Sequence, residues 1–145
     1  MKRIAIGLLA ALALVQAGAA ELEWLTDLPQ AQAKAKTEKR MVLLDFTGSD
    51  WCIWCVRLKE EIFSKPEFAE YAKKNLVLAE VDFPRKKQIS EQQKKANRAL
   101  ADKYGIKGYP TLIILEGDGK KAGKLGYMRG GPKPFIAELE KLKSK

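Results

Sequence analysis

Mostly apolar residues occur in three short runs along the chain, each bounded by polar or turn-forming residues. The runs occupy residues 41–46, 76–83 and 111–115. Apolar runs of this length are typical of β-strands that are buried on both faces of a sheet. After the third run, the glycines and aspartate at 117–119 predict a turn, and a return strand follows through Leu125 and Tyr127. The pattern therefore predicts two separate strands and a hairpin.

Between these runs, apolar residues recur at the spacing of an α-helix. Five helices are predicted: from Leu28-Pro29, from near Cys52, from Pro66, up to Gly105, and over residues 132–145. Asp50 or Ser49 is expected to cap the second helix, because both side chains can accept hydrogen bonds from backbone N–H groups of a first turn. Strands that alternate with helices imply parallel pairing, and the hairpin adds antiparallel pairing. The sequence thus predicts an α/β fold, with a mixed central β-sheet flanked by helices on both faces.

The first twenty residues have the layout of a secretory signal peptide. Lys2 and Arg3 precede an apolar run, and small residues close the segment. The alternative is an uncleaved membrane anchor, but the apolar run is shorter than the roughly 20 residues of a spanning helix. We expect cleavage after Ala19 or Ala20, which leaves residues 21–145 as a single exported domain.

The chain is basic, with a formal net charge of +9 from 27 Lys and Arg against 18 Asp and Glu. Without residues 1–20 the charge is +7, since 25 basic residues face the same 18 acidic ones. The basic residues are interleaved with acids, which is typical of a solvated surface and does not predict a nucleic-acid partner.

Histidine is absent from the chain, whereas two cysteines, Cys52 and Cys55, stand two residues apart. The absence of histidine excludes Ser-His-Asp and Cys-His catalysis. A structural zinc site needs four Cys or His ligands, so the pair could hold a metal only with carboxylates or a second subunit. A purely structural disulfide is the second alternative, although the loop it would close is nearly minimal and gains little entropically.

The third interpretation is a redox pair. If the helix begins near Cys52, the backbone N–H groups and the helix dipole favour its thiolate and lower its pKa from about 8.5. Cys55, one turn deeper, is expected to be more buried and to remain a thiol. An exposed nucleophile with a second sulfur to resolve the mixed disulfide is what thiol–disulfide exchange requires.

Three segments carry a resemblance to a known family: "LLDFTGSDWCIWC", "KYGIKGYPTLIIL" and "GYMRGGPKPFIAELEK". In this order, from about residue 41 to 142, the chain resembles the thioredoxin superfamily, and most of all its periplasmic Dsb-type thiol:disulfide oxidoreductases of the DsbH reductase type. The resemblance implies a thioredoxin-like fold over residues 21–145, with Cys52 as the catalytic nucleophile and Cys55 as the resolving cysteine.

The resemblance also implies a substrate-binding surface beside the cysteines. The peptide bond before Pro110 is expected to be cis, and the backbone of Tyr109 is expected to pair with the substrate chain like an added strand. Trp51 is expected to lie beside the reactive sulfur and to offer apolar surface to substrates. Simple core packing is the alternative interpretation of Trp51.

Asp45 resembles the buried acid that serves as a proton relay in this family. A lone carboxyl group in an apolar strand also has a raised pKa on physical grounds, which suits it to accept a proton from Cys55. One residue more than in thioredoxin separates Asp45 from the cysteines, so a structural or partly exposed Asp45 is the alternative. The basic stretch at 84–103 is also longer than its counterpart, and is either a partner-docking segment or a solvated loop and helix.

The function predicted from these observations is reduction of protein disulfides in the periplasm. Ile53 and Trp54 bring no cation to the thiolate, which favours a reductase over an oxidant. The expected partners are disulfide-containing exported proteins and a membrane electron donor of the DsbD type. We expect a monomer without metal or organic cofactor. Alternatives are an isomerase or oxidant of the same fold, a non-catalytic binding module and a metal chaperone.

Overall fold

The computed structural model describes residues 21–143, and the predicted signal peptide at residues 1–20 lies outside this range. The described residues form five strands and five helices. The strands are β1 (Trp24–Leu25), β2 (Met41–Thr47), β3 (Leu76–Asp82), β4 (Thr111–Leu115) and β5 (Lys121–Leu125). The helices are α1 (Leu28–Glu38), α2 (Ile53–Leu58), α3 (Pro66–Asn75), α4 (Glu91–Tyr104) and α5 (Pro132–Lys143).

The strands form one mixed sheet in the order β1-β3-β2-β4-β5. β3 lies parallel to both β1 and β2, whereas β4 is antiparallel to β2 and to β5. The predicted fold class is confirmed, with small differences in the strands. β2 extends through Thr47, β3 ends at Asp82, and β5 ends at Leu125 without continuing to Tyr127. The short strand β1 adds a fifth strand to the four that were predicted.

Two hydrophobic cores lie on opposite faces of the sheet, because successive side chains of a strand point to opposite faces. The first core packs the sheet against α2, α3 and α5, with Leu43, Leu58 and Phe135 fully or almost fully buried. The second core packs the other face against α1 and α4 and includes Phe46 and Ala35. β2 is central to both, and all seven of its residues are buried.

The helix that follows the cysteines departs from regular α geometry. α2 ends at Leu58, and a π-helical turn continues from Lys59 to Phe63. The wider turn places the adjacent residues Ile62 and Phe63 both in the first core. Such turns are rare and are found mostly as short bulges in longer helices.

Glycine ends α4 in the predicted position. Gly105 has a φ of 63°, and its N–H donates to the carbonyl groups of Ala101 and Asp102. This left-handed conformation is strained for residues that carry a Cβ atom, so glycine is the residue that closes the helix here.

Candidate active site

The two cysteines lie at the edge of the sheet where the parallel strands β2 and β3 both end. Residues 48–52 follow β2 and lead into α2. Cys52 is the N-cap of this helix, and its Sγ accepts a hydrogen bond from the Cys55 N–H at 3.2 Å. Cys52 and Cys55 are joined as a disulfide, with their Cα atoms 5.2 Å apart. The cap position thus places one sulfur of the pair at the positive end of the helix.

The expected difference in burial between the two cysteines is wrong for this disulfide form. Cys52 is 6% exposed and Cys55 is 5% exposed, so neither is an open surface residue. The reason is the capping geometry, which turns the Cys52 sulfur back toward the first turn of α2. The exposed large apolar side chains of the described chain are instead the residue before the pair and the two residues between the cysteines: Trp51, Ile53 and Trp54.

The expectation that Asp50 or Ser49 caps α2 is also wrong. The Asp50 carboxylate accepts hydrogen bonds from the backbone N–H groups of Arg85, Lys86 and Lys87, at 2.7–2.9 Å. These N–H groups lower the pKa of Asp50 to about 2. Ser49 bonds to the buried Asp82 through both its backbone N–H and its hydroxyl. Ser49 therefore joins the cysteine loop to the end of β3, and Asp50 joins it to the segment that follows β3.

Trp51 lies between this segment and the loop before β4. Its Nε1 donates to the carbonyl oxygen of Phe83 at 2.8 Å, and its ring meets the Tyr109 ring edge-on at 5.8 Å. The Arg85 guanidinium lies 4.0 Å from the centre of the Trp51 ring. The side chain is packed on these neighbours and yet 37% exposed, so it offers apolar surface next to Cys52.

The Tyr109–Pro110 peptide bond is cis. The Tyr109 ring lies 5.3 Å from that of Phe83, and partial burial raises the pKa of its hydroxyl. Through its contact with Trp51, this loop is brought to the same end of the sheet as the cysteines, although 54 residues separate Tyr109 from Cys55 in the sequence.

Asp45 lies in the middle of β2 and is 6% exposed. Its Oδ1 has no hydrogen-bond partner among the residues that the structure describes. In the sheet, Asp45 is paired with Glu80 of β3. Two residues further along the same strands, Thr47 is paired with Asp82. Burial raises the pKa of Asp45 to about 8, and the negative charges of Glu80 and Asp82 add to the effect. The sequence-based expectation of a raised pKa agrees with this environment.

Several site residues were not anticipated from the sequence. Tyr127 lies 5.2 Å from Trp54, ring centre to ring centre, and donates its hydroxyl hydrogen to Glu61. Arg85 covers Trp51, and Glu80 neighbours Asp45. For Arg85 a usable signal exists: parallel neighbouring strands bring their carboxyl ends to one edge, so the residues that follow β3 meet the loop that follows β2. Glu80 is placed beside Asp45 by the register of the same two strands.

Among residues 21–143, no cluster of three or more Cys, Asp or Glu side chains is arranged to hold a metal ion. Within the same range, none of the helices has the length and apolar character needed to cross a bilayer.

Comparison with known proteins identifies the family. Residues 28–143 match the thioredoxin-like domain family. The chain is 33% identical to the disulfide bond reductase DsbH of Chlamydia pneumoniae over 122 residues, which are 84% of this chain and 73% of that protein. It is 31% identical to thiol:disulfide interchange protein DsbD 2 of Pseudomonas aeruginosa, over 68% of this chain but 16% of that protein.

A solved structure of a DsbH oxidoreductase superposes with a TM-score of 0.81 at 31% identity, covering 86% of each chain. The order of strands in the sheet and the disulfide at the start of α2 are consistent with these similarities. The chain therefore belongs to the thioredoxin-like family, among its Dsb-type thiol–disulfide oxidoreductases.

Proposed function

We propose that this protein is an exported protein-disulfide reductase in which Cys52 is the nucleophile and Cys55 the resolving cysteine. The observation that carries the proposal is the position of Cys52 as the N-cap of α2, with its Sγ accepting the Cys55 N–H. In the reduced protein, the same N–H group and the helix dipole favour a thiolate at Cys52. A thiolate is the species that attacks a disulfide.

The first step forms a mixed disulfide. The Cys52 thiolate attacks one sulfur of the substrate, a bond forms between them, and the other substrate sulfur leaves as a thiolate. Trp51, Tyr109 and Pro110 line the approach in this proposal, since Trp51 and Tyr109 are in contact and the loop carries the cis bond. The Tyr109 backbone would hold the substrate chain as an added strand.

The second step releases the reduced substrate. Cys55 loses its proton, its sulfur attacks the Cys52 sulfur, and the second substrate sulfur leaves, so two electrons pass to the substrate and the Cys52–Cys55 disulfide forms. Asp45 is the proposed proton acceptor. With a pKa of about 8, close to that of an ordinary thiol at about 8.5, Asp45 exchanges a proton with Cys55 at little cost in free energy.

The direction of exchange is proposed from two observations. Ile53 and Trp54, between the cysteines, supply no positive charge of the kind that stabilises the reduced form of strong oxidants. The relative that is 33% identical is a disulfide bond reductase. The similarity to DsbD 2 and the signal layout of residues 1–20 support a periplasmic site of action, with electrons supplied by a membrane partner of the DsbD type.

The test of the mechanism is insulin reduction with dithiothreitol as electron source. We expect the Cys52→Ala variant to show no rate above the uncatalysed background. The Cys55→Ala variant should accumulate a mixed disulfide with its substrate, visible by non-reducing electrophoresis and mass spectrometry. Turnover by Cys52→Ala at the rate of the unsubstituted protein would refute the mechanism, and an inactive unsubstituted protein would instead support a non-catalytic binding module.

The test of direction is the equilibrium of the cysteine pair with glutathione. A reductase should have a potential below about −220 mV, near the value of about −270 mV for thioredoxin. A potential near about −120 mV, typical of a strong periplasmic oxidant, would contradict the reductase assignment while leaving the exchange chemistry intact.

A further inference from the structure

Three consecutive basic residues lie at the active-site end of the molecule. Arg85, Lys86 and Lys87, here called the basic rim, follow β3 and are all exposed. Because β3 is parallel to β2, the residues that follow it meet the loop that carries Cys52. The rim therefore borders the cysteine loop, although it is 30 or more residues away in the sequence.

The basic rim is held to this loop by one carboxylate. Asp50, two residues before Cys52, accepts the backbone N–H of each rim residue, at 2.9 Å from Arg85, 2.7 Å from Lys86 and 2.8 Å from Lys87. Hydrogen bonds to an ionised acceptor are about twice as strong as neutral ones. These contacts fix the backbone of the rim, so its side chains project from a defined position.

Three further contacts reinforce the attachment. The Arg85 guanidinium stacks on Trp51 at 4.0 Å, and Trp51 itself donates to the carbonyl of Phe83. Lys87 lies 3.8 Å from the Asp82 carboxylate. Arg85 and Lys86 form no close ion pair with any side chain of residues 21–143, although the Lys86 charge interacts electrostatically with Asp50 at longer range. Both side chains are exposed and can be reached by a ligand.

We propose that the basic rim is a recognition element for polypeptides that carry acidic residues beside their reactive disulfide. This proposal rests on the exchange chemistry proposed above, and it adds the class of partner. A cationic edge next to exposed Trp51 complements a segment that is both acidic and apolar. Lipid headgroups and nucleic acids share the negative charge but carry no disulfide, whereas a ligand bound here lies beside Cys52.

The experiment compares three synthetic peptides, each with one internal disulfide, that differ only in whether Glu, Gln or Lys flanks the cysteines. The reduced protein is mixed with excess peptide, and the second-order rate of oxidation is measured. At low salt we expect the Glu peptide to react about three- to tenfold faster than the Gln peptide, and the Lys peptide more slowly. The differences should largely vanish at about 1 M salt, where the screening length falls to about 3 Å.

Two triple variants separate the rim from overall charge. Replacement of Arg85, Lys86 and Lys87 by Gln should bring the Glu-to-Gln rate ratio below about two. The matched control replaces Lys36, Lys73 and Lys74 by Gln, which removes the same charge at the opposite end of the sheet, where β2 and β3 begin. The control should keep the full preference. Equal losses in both variants, or no loss in the first, would overturn the proposal.

Substitution of Asp50 separates the position of the rim from the net charge of the protein. It removes the carboxylate that holds the rim and at the same time makes the protein more positive. The Asp50→Ala variant should show faster hydrogen exchange at the amides of residues 85–87 and a reduced preference for the Glu peptide. The Asp50→Asn variant, which keeps an acceptor oxygen, should retain more of both. If the preference of Asp50→Ala rises with its net charge, long-range attraction explains it and the rim does not.

Three other outcomes are distinguishable. Vesicles containing phosphatidylserine test a lipid partner. Vesicle binding that is lost in the rim variant, with the peptide preference unchanged, would overturn the proposal in favour of a membrane surface. Failure of the reduced protein to react with any of the peptides, including the Gln peptide, would refute the proposed exchange function itself. Reaction with all three peptides at equal rates would refute the rim proposal alone.

Discussion

At the scale of single residues, Asp45 illustrates the free-energy cost of a buried carboxyl group. Its pKa of about 8 means that the native state holds a proton that the unfolded chain releases above about pH 4. Native and unfolded states therefore differ in bound protons between about pH 4 and pH 8. The contribution of this proton to the free energy of unfolding is fully present below the window and is lost as pH rises through it.

We predict that Asp45→Asn removes much of this pH dependence. The unsubstituted oxidised protein should lose up to about 1.4 kcal/mol of unfolding free energy per pH unit through the middle of the window. The variant should lose less, and should be the more stable protein at pH 8.5. Glu80, whose pKa burial and Asp82 also raise, leaves a smaller slope of the same sign. Urea unfolding from pH 4.5 to 9 measures the difference, and parallel curves for the two proteins would contradict the prediction.

Gly48 sets the position of Trp51. A Cβ atom at residue 48 would lie 2.4 Å from Cε2 of the Trp51 ring, so Gly48→Ala must displace the indole and weaken its bond to the Phe83 carbonyl. We expect a shift in tryptophan emission and a severalfold lower rate of insulin reduction. Gly108→Ala is the matched control, because an added Cβ there has no neighbour within 4 Å. An unchanged emission spectrum in Gly48→Ala would show that the indole is not held as described.

At the scale of secondary-structure elements, a buried amide attaches α4 to the sheet. Asn97 is 2% exposed; its Nδ2 donates to the carbonyl oxygen of Asp82 and its Oδ1 accepts from Gln93. α4 has no other fully buried residue, so this contact and partly buried side chains such as Leu100 hold it in place.

We predict that Asn97→Ala destabilises the fold by about 1–3 kcal/mol, because it leaves the Asp82 carbonyl unpaired in the interior. Arg98→Ala, one residue along on the exposed face, should change stability by less than about 0.5 kcal/mol. Denaturant titration measures both. Equal effects of the two substitutions would show that α4 is attached by its apolar contacts alone.

The elements with a strong local pattern were predicted closely from the sequence. The buried run of β2, the Pro66 start of α3 and the Gly105 end of α4 each depend on nearby residues, so local patterns identify them. The cap of α2 was not predicted, because the competition for the Asp50 carboxylate comes from backbone groups 35–37 residues away. Capping rules identify acceptor side chains near the start of a helix. They contain no information about donors that are distant in the sequence and bind those acceptors instead.

At the scale of the whole molecule, the site depends on the core beneath α2. Phe135 of α5 is fully buried, and its ring lies 6.1 Å from that of Phe63 and 6.0 Å from that of Phe68. This aromatic cluster joins the last helix to α3 and to the π-helical turn that extends α2.

We predict that Phe135→Ala lowers the unfolding free energy by about 3–5 kcal/mol, the usual cost of a large cavity in a core. Phe135→Leu, which fills most of the volume, should cost clearly less. Calorimetry on the oxidised protein measures both. A loss under about 1 kcal/mol for Phe135→Ala would mean that α5 contributes little to the cooperative unit.

The hydrogen bonds of the Asp50 carboxylate matter when segments are exchanged between relatives to make chimaeras. Copying residues 85–87 into another protein of the family would supply the cations without the acceptor that orders them. Copying the cysteine loop alone would carry an aspartate without the backbone segment whose N–H groups are placed to bind it. A chimaera that keeps the ordered rim should therefore inherit the two segments together.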